Sequence, residues 1–254
     1  MNGLRTITRA LQAMLILLAC PLAAAAQPAP VKESAACAPD TIGDVTITAV
    51  RDGGTLLAAD GREIRLSGIE PPRDPAPLRA LIGKTVTLKA AGQDEDRYGR
   101  VRAFIYLGDS LIQRELLSAG AAYVSTRAGA KPCIDVLFAA EREARSSARG
   151  LWADAELRPK SAANRDEILR VKGKFALVEG KVLSVREFGG TVYLNFGRRY
   201  TRDFSVAIAQ RDARKFAPAP ARLQDKTVLV RGIVEERGGP LIEAREPQQI
   251  ELIQ

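Results

Sequence analysis

Short runs of alternating apolar and polar residues dominate the chain between residues 40 and 110. Val45, Ile47 and Ala49 alternate with polar neighbours, as a half-buried strand does. Asp52-Gly53-Gly54 predicts a tight turn into Thr55-Leu56-Leu57, and Asp60-Gly61 a second hairpin turn into a strand over 63–67. Pro71, Pro72, Pro75 and Pro77 punctuate an irregular loop, within which 76–82 reads as a short helix. Strands over 85–89 and 101–107 complete a set of five. The period then changes. Leu111, Leu116 and Leu117 share one side of a helix over 110–119, and Val136, Leu137, Ala140 and Ala144 recur at helical spacing over 134–149. Gly150 is expected to end that helix, and Leu151-Trp152 to pack back on the core.

The second half repeats the β-rich pattern. Residues 158–170 are charged and contain Pro159, and read as a linker. A long strand is expected over 175–187, with Gly180 marking a bulge where a small barrel bends. Gly189-Gly190 makes the turn into strands over 191–196 and 204–209; a short helix over 210–216 follows. A hairpin over 227–244 turns at Gly238-Gly239. Five strands with a helix between the third and fourth is the topology of an OB barrel, and both halves carry that order. The expected class is mainly β with helices (α+β): one OB barrel over 40–157 and a second, OB-like barrel over 171–254.

The N-terminal residues have a different pattern. Arg5 and Arg9 precede a short apolar run over 11–19, and Ala24-Ala25-Ala26 offers a small-residue cleavage site. Residues 1–26 therefore read as an export signal and 27–39 as a flexible leader, giving a periplasmic or secreted protein. Lipid attachment at Cys20 is the rival reading, disfavoured by Pro21 directly after it. No other segment approaches membrane-spanning length. Two cysteines, Cys37 and Cys133, remain after cleavage, and an even count in an exported chain predicts a disulfide. It would close a loop worth about 4–5 kcal/mol in the chain-entropy account.

Charge and composition narrow the chemistry. There are 38 Lys and Arg against 30 Asp and Glu, a balance that favours a polyanionic partner. The chain has no histidine, which removes His-based triads and most catalytic zinc sites. Arginines stand beside strand-like runs in Ile64-Arg65-Leu66-Ser67-Gly68-Ile69-Glu70 and in Asp94-Glu95-Asp96-Arg97-Tyr98-Gly99-Arg100. Two guanidiniums converging on one cleft suit a phosphodiester, since each donates two parallel hydrogen bonds to phosphate oxygens.

On these two segments the chain resembles the staphylococcal nuclease (thermonuclease) family, over about 115 residues of the first barrel. That family combines a calcium ion held by carboxylates, two phosphate-binding arginines and a glutamate that activates water. The resemblance keeps the arginines as Arg65 and Arg100, the latter inside an intact Asp96-Arg97-Tyr98-Gly99-Arg100 motif. It loses other parts. Gly54 stands where a calcium aspartate is expected, Glu70 replaces the second with one more methylene, and Arg73 occupies the place of the glutamate base. Asp74 and Asp52 are the nearest substitutes. The resemblance thus implies catalytic positions Arg65, Arg100 and Glu70 and a phosphate site of Arg65, Arg73 and Arg100. Glu70 is left as the one doubtful metal ligand. Binding is expected to need no cofactor.

The expected function is binding of nucleic acid or another phosphorylated polymer, with phosphodiesterase activity weak or lost. Two alternatives stay open: an active calcium-dependent nuclease, and an envelope protein-interaction module. In the second barrel Arg198, Arg199, Arg202, Arg211, Arg214 and Lys215 interleave with Tyr193, Tyr200 and Phe204, a composition that suits single strands. Phe204 lies in an alternating strand, so a solvated charged face over core aromatics is the favoured reading there.

Overall fold

The computed structural model describes residue 37 and residues 40–51, 54–125, 131–199 and 201–253. The expected signal over 1–26, Cys20, the leader apart from Cys37, the Asp52-Gly53 turn and Tyr200 lie outside the described residues.

The first barrel contains β1 (Thr41–Arg51), β2 (Thr55–Ala58), β3 (Glu63–Leu66), α1 (Ala76–Arg79), β4 (Thr85–Glu95) and β5 (Val101–Leu107). Its two halves of β1 serve different neighbours: residues 41–46 pair with β4 and 47–51 with β2. β3 runs parallel to β5, with Ile64 opposite Val101 and Arg65 opposite Arg102, and this pairing closes the barrel. Ile47, Leu56, Ile64, Leu88 and Phe104 fill the interior because alternation sends every second side chain inward. The helix between the third and fourth strands is present as expected, though shorter. β4 runs on past the expected end at residue 89 to Glu95, with an irregular register after Ala90.

A two-residue strand, β6 (Ser110–Leu111), precedes α2 (Ile112–Ser118), and α3 (Lys131–Ser146) packs beside it. The expectation that Gly150 ends this last helix is corrected. Ala148 takes the left-handed conformation (φ 48°), and Arg149 N–H donates back to Ala144 O at 2.9 Å. Gly150 is needed for another reason. A Cβ there would lie 2.4 Å from Gly120 O, so the two backbones meet only through glycine. Cys37 and Cys133 form the expected disulfide, tying the segment before β1 to α3 across 96 residues.

Residues 158–170, expected as a linker, instead carry structure of the second barrel. β7 (Lys160–Ser161) adds in parallel to β8 (Phe175–Lys181). α4 (Arg165–Leu169) is capped by Asn164, whose Oδ1 accepts from Glu167 N–H, and it buries Ile168 completely. The stretch is too short for its one apolar anchor to show a helical period. The expected strand over 175–187 splits into β8 and β9 (Ser184–Phe188). Gly180 admits the neighbouring chain: a Cβ there would meet Ala162 Cβ at 2.4 Å.

The remaining elements are β10 (Thr191–Asn195), β11 (Ser205–Ala209), α5 (Gln210–Ala213), β12 (Thr227–Arg237), β13 (Gly239–Glu243) and β14 (Ile250–Leu252). Their pairing repeats the first barrel. β8 pairs with β12 and β9 with β10, so the two act as halves of one bent strand, and β11 runs parallel to β13.

Both barrels belong to one compact unit. Leu177 and Leu229 of the second barrel pack with Ala144 and Trp152 of the first. Beside them lies a buried ion network. Arg231, with no exposed side-chain surface, donates to Glu141 at 3.0 and 2.8 Å and to Glu251 at 3.2 Å, and Arg145 donates twice to Glu251. Leu229, Arg231 and Ile233 alternate along β12, so all three face the first barrel.

Candidate functional site

The barrel's strand pairing brings the two arginines together. Thr55 on β2 lies directly opposite Arg65 on β3, and its hydroxyl accepts from Arg100 Nη1 at 3.4 Å. Arg100 is braced by Asp96 four residues earlier. Asp96 Oδ2 takes Nε at 2.8 Å and Nη2 at 2.6 Å, while Oδ1 accepts the backbone N–H groups of Tyr98 and Arg100. Desolvation alone would raise the Asp96 pKa, but the Arg100 hydrogen bond and the two amides outweigh it and hold the carboxyl below its ordinary value. The turn carrying these residues sets Tyr98 at the rim, with the Arg97 and Arg100 guanidiniums 4.8 and 5.0 Å from its ring centre.

Arg65, Glu70, Asp96, Arg97, Arg100 and Arg102 line one cleft of about 520 Å³. Glu95, Ser125, Phe175 and Ile233 also face it. Among the described residues, four arginines and three carboxylates line it. Glu70 is positioned by a short antiparallel contact. Its N–H donates to Tyr123 O at 2.8 Å, Ile69 bridges Val124, and Ser125 Oγ donates to Glu70 Oε1 at 2.7 Å. The buried network reaches this floor too. Glu141 Oε1 accepts Val124 N–H at 2.7 Å, and Arg231 Nη1 donates to Val124 O at 3.2 Å.

Of the sequence-predicted residues, Arg65, Arg100 and Glu70 share the cleft. Arg73 and Asp74 are not among its lining residues. Arg73 stands near Tyr123, whose hydroxyl burial pushes up to about 12 against the pull of the Arg73 charge. Asp74 turns to its own chain, where Oδ1 accepts Ala76 N–H at 2.8 Å. Gly54 adopts φ 151°, and a Cβ there would lie 3.2 Å from Pro71 Cβ. Ser125, Phe175 and Ile233 were missed. They come from segments far from either arginine motif, and no local pattern marks them.

Among the described residues, the positions that correspond to the family's calcium ligands supply few side-chain oxygens for an ion that takes about six to eight. Glu70 is engaged by Ser125, Asp96 by Arg100, and residue 54 offers no side chain. Among the described residues no cluster of three or more Asp, Glu, Cys or His side chains is placed to hold a metal.

The basic cluster of the second barrel separates into two groups. Arg198, Arg199 and Arg202 line a groove of about 530 Å³ with Arg165. Lys215 instead pairs with Asp212 and Glu246, and Arg211 lies near Asp212. Phe204 is fully buried against Phe196, as its alternating strand predicts, and so offers no stacking face.

The family model for staphylococcal nuclease homologues matches residues 76–154, which include the Asp96–Arg100 motif but not the segment from Gly54 to Arg73. The chain is 33% identical over 123 residues to an uncharacterized endonuclease of Escherichia coli, an alignment spanning 43% of this chain and 77% of that relative. The chain belongs to the staphylococcal nuclease family. Within this family it is also 34% identical over 109 residues to a probable staphylococcal-like nuclease of Oryza sativa subsp. japonica, covering 39% of this chain and 31% of that one. A 38.1 kDa uncharacterized protein of Capnoides sempervirens is 33% identical over 101 residues, covering 36% and 28%. The closed five-stranded barrel fits the OB fold expected of a staphylococcal nuclease homologue. None of the three alignments reaches half of this chain.

Proposed function

We propose that this protein is an exported nuclease homologue that binds nucleic acid through the Arg65–Arg100 cleft, with phosphodiesterase activity weak or lost. The observation that carries the reading is that Arg65 and Arg100 line one cleft, with Thr55 opposite Arg65 in the sheet and accepting from Arg100. Two guanidiniums facing one cleft can hold a phosphate without a metal, because their donors match its oxygens. The degraded chemistry follows from Gly54 and Arg73. One supplies no carboxylate, and the other is a cation lying outside the cleft. Export is supported by the charged, apolar and small-residue order of 1–26 and by the Cys37–Cys133 disulfide, which persists in oxidising compartments.

The names of the relatives favour a second reading, residual cleavage. Glu70 is then the base, held at the cleft by Ser125 Oγ. One experiment separates the readings. A fluorogenic single-stranded DNA is titrated with and without calcium, and binding is followed by anisotropy in the same samples. Tight binding with negligible cleavage supports the proposal, and rapid calcium-dependent cleavage overturns it. Arg65→Ala with Arg100→Ala should weaken binding by about 2–4 kcal/mol, taking about 1.5–3 for each charge-assisted hydrogen bond and discounting for solvent. Unchanged affinity in that double variant would remove the cleft as the binding site.

A further inference from the structure

The second barrel contributes a wall to the first barrel's cleft. Phe175 on β8 and Ile233 on β12 are direct cross-strand partners, and both face the cavity that holds Arg65 and Arg100. Ile233 is 49% exposed, while Val228, Leu229, Val230 and Val234 of the same strand are at most 1% exposed. Alternation explains its direction. It lies two residues beyond Arg231, on the strand face that packs against the first barrel, at the point where that packing opens into the cleft. A large aliphatic left half in water against a row of arginines gains nothing for folding.

The wall is stiff. The Phe175 ring lies nearly parallel to Tyr123, 6.2 Å away at 29°. Tyr123 is itself wedged edge-on against Trp152, and its hydroxyl donates to Leu157 O at 2.6 Å. The Arg231–Glu141–Glu251–Arg145 network fixes the strand that carries Ile233 to the helix α3 of the other barrel. Cations and an apolar face therefore stand at fixed positions in one cavity of about 520 Å³. That size lies within the roughly 300–1,000 Å³ of small-ligand sites.

We infer that Phe175 and Ile233 are the base-docking wall of the Arg65–Arg100 cleft, which therefore takes an unpaired nucleotide of a single-stranded chain. The phosphate sits on the guanidiniums and the base lies on the apolar pair. This rests on the proposed reading of the cleft as a phosphodiester site. A nucleotide is the ligand that joins an anion and a flat apolar face through one sugar, as the cavity's two walls require. A base-paired duplex keeps those faces stacked inside, so the wall selects single strands.

The test uses the full chain and three probes of equal length: a fluorescent single-stranded oligodeoxynucleotide, the same backbone with abasic sites, and a duplex. Phe175→Ala should weaken the base-bearing strand by about five- to a hundredfold, the range of one base stack. Ile233→Ser should weaken it severalfold, and Ile233→Trp should tighten it. All three should leave the abasic strand's affinity unchanged, and the duplex should bind no better than the abasic strand. Ile233 is half exposed, so its variants carry the test if Phe175→Ala does not fold. Base-bearing affinity unchanged by Ile233→Ser and Ile233→Trp would overturn the inference, as would equal losses on the abasic strand. The two readings fail separately. If Arg65→Ala with Arg100→Ala loses both strands while the wall variants lose neither, the cleft stands and only the wall falls. If that double variant binds both strands normally, the cleft reading itself is wrong.

Discussion

Arg231→Met should be among the most damaging single substitutions in the chain. The side chain has no exposed surface, and its two terminal nitrogens make four hydrogen bonds: two to Glu141, one to Glu251 and one to Val124 O. Glu141 is equally buried, and without Arg231 it keeps the Val124 N–H, which cannot offset a buried charge. Removing one member of a buried pair costs about 3–5 kcal/mol, because the other charge stays desolvated and uncompensated. At roughly 2–4 °C per kcal/mol for a chain of this size, melting should fall by about 6–20 °C. Trp152 is the only tryptophan and packs against Leu177 and Leu229 at the same joint, so its fluorescence in a urea titration reports this transition. Adding Glu141→Gln should recover most of the loss. Both charges are then gone, Gln still accepts the Val124 N–H, and Glu251 keeps Arg145. A loss under about 1 kcal/mol in Arg231→Met, or a double variant as unstable as the single, would refute the account of this network.

Replacing Cys37 and Cys133 together by Ser should lower stability by about 4–5 kcal/mol, since the bond closes a 96-residue loop; mass spectrometry of unreduced mature protein should find no alkylatable thiol. The Asp96 carboxyl titrates below its unfolded value, so its brace on Arg100 is fully present above about pH 4 and is lost as pH falls through the lowered pKa. DNA affinity should accordingly hold at pH 4.5, and Asp96→Asn should abolish the acid limb; a limb centred above pH 5 would contradict this. Gly150→Ala should destabilise severely, because its Cβ would lie 2.4 Å from Gly120 O, and thermal melting at wild-type temperature would show that close contact to be wrong. Gly54→Asp should cost about 1–3 kcal/mol, since φ 151° is strained for any side chain and Pro71 Cβ is 3.2 Å from the new Cβ; chemical denaturation with no loss would show that the turn relaxes.

Periodicity and turn residues determined where most of the barrels' strands lie. Val45, Ile47, Leu56 and Ile64 alternate because one face of each strand meets a core, and the period-2 pattern survives in any register. The family was legible for the same local reason: Asp96 to Arg100 is a turn whose own side chains build the Arg100 brace. The short elements of 158–170 were not legible. α4 has one buried anchor, Ile168, too few to mark a helix, so 158–170 resembled a linker. Gly150 and Gly180 read from sequence as a helix stop and a bulge; only the tertiary structure, which puts Gly120 and Ala162 against them, shows that both are needed for close backbone approach. The cleft divides the same way. Its arginines announce themselves in sequence, but Ser125, Phe175 and Ile233 join them only through the contact at Val124 and the pairing of β8 with β12. Such contacts depend on which outer faces meet. Across the faces that do meet run Arg231, Glu141, Glu251 and Arg145, four charges that along the chain look like ordinary surface residues and that only the packing of the two barrels brings together.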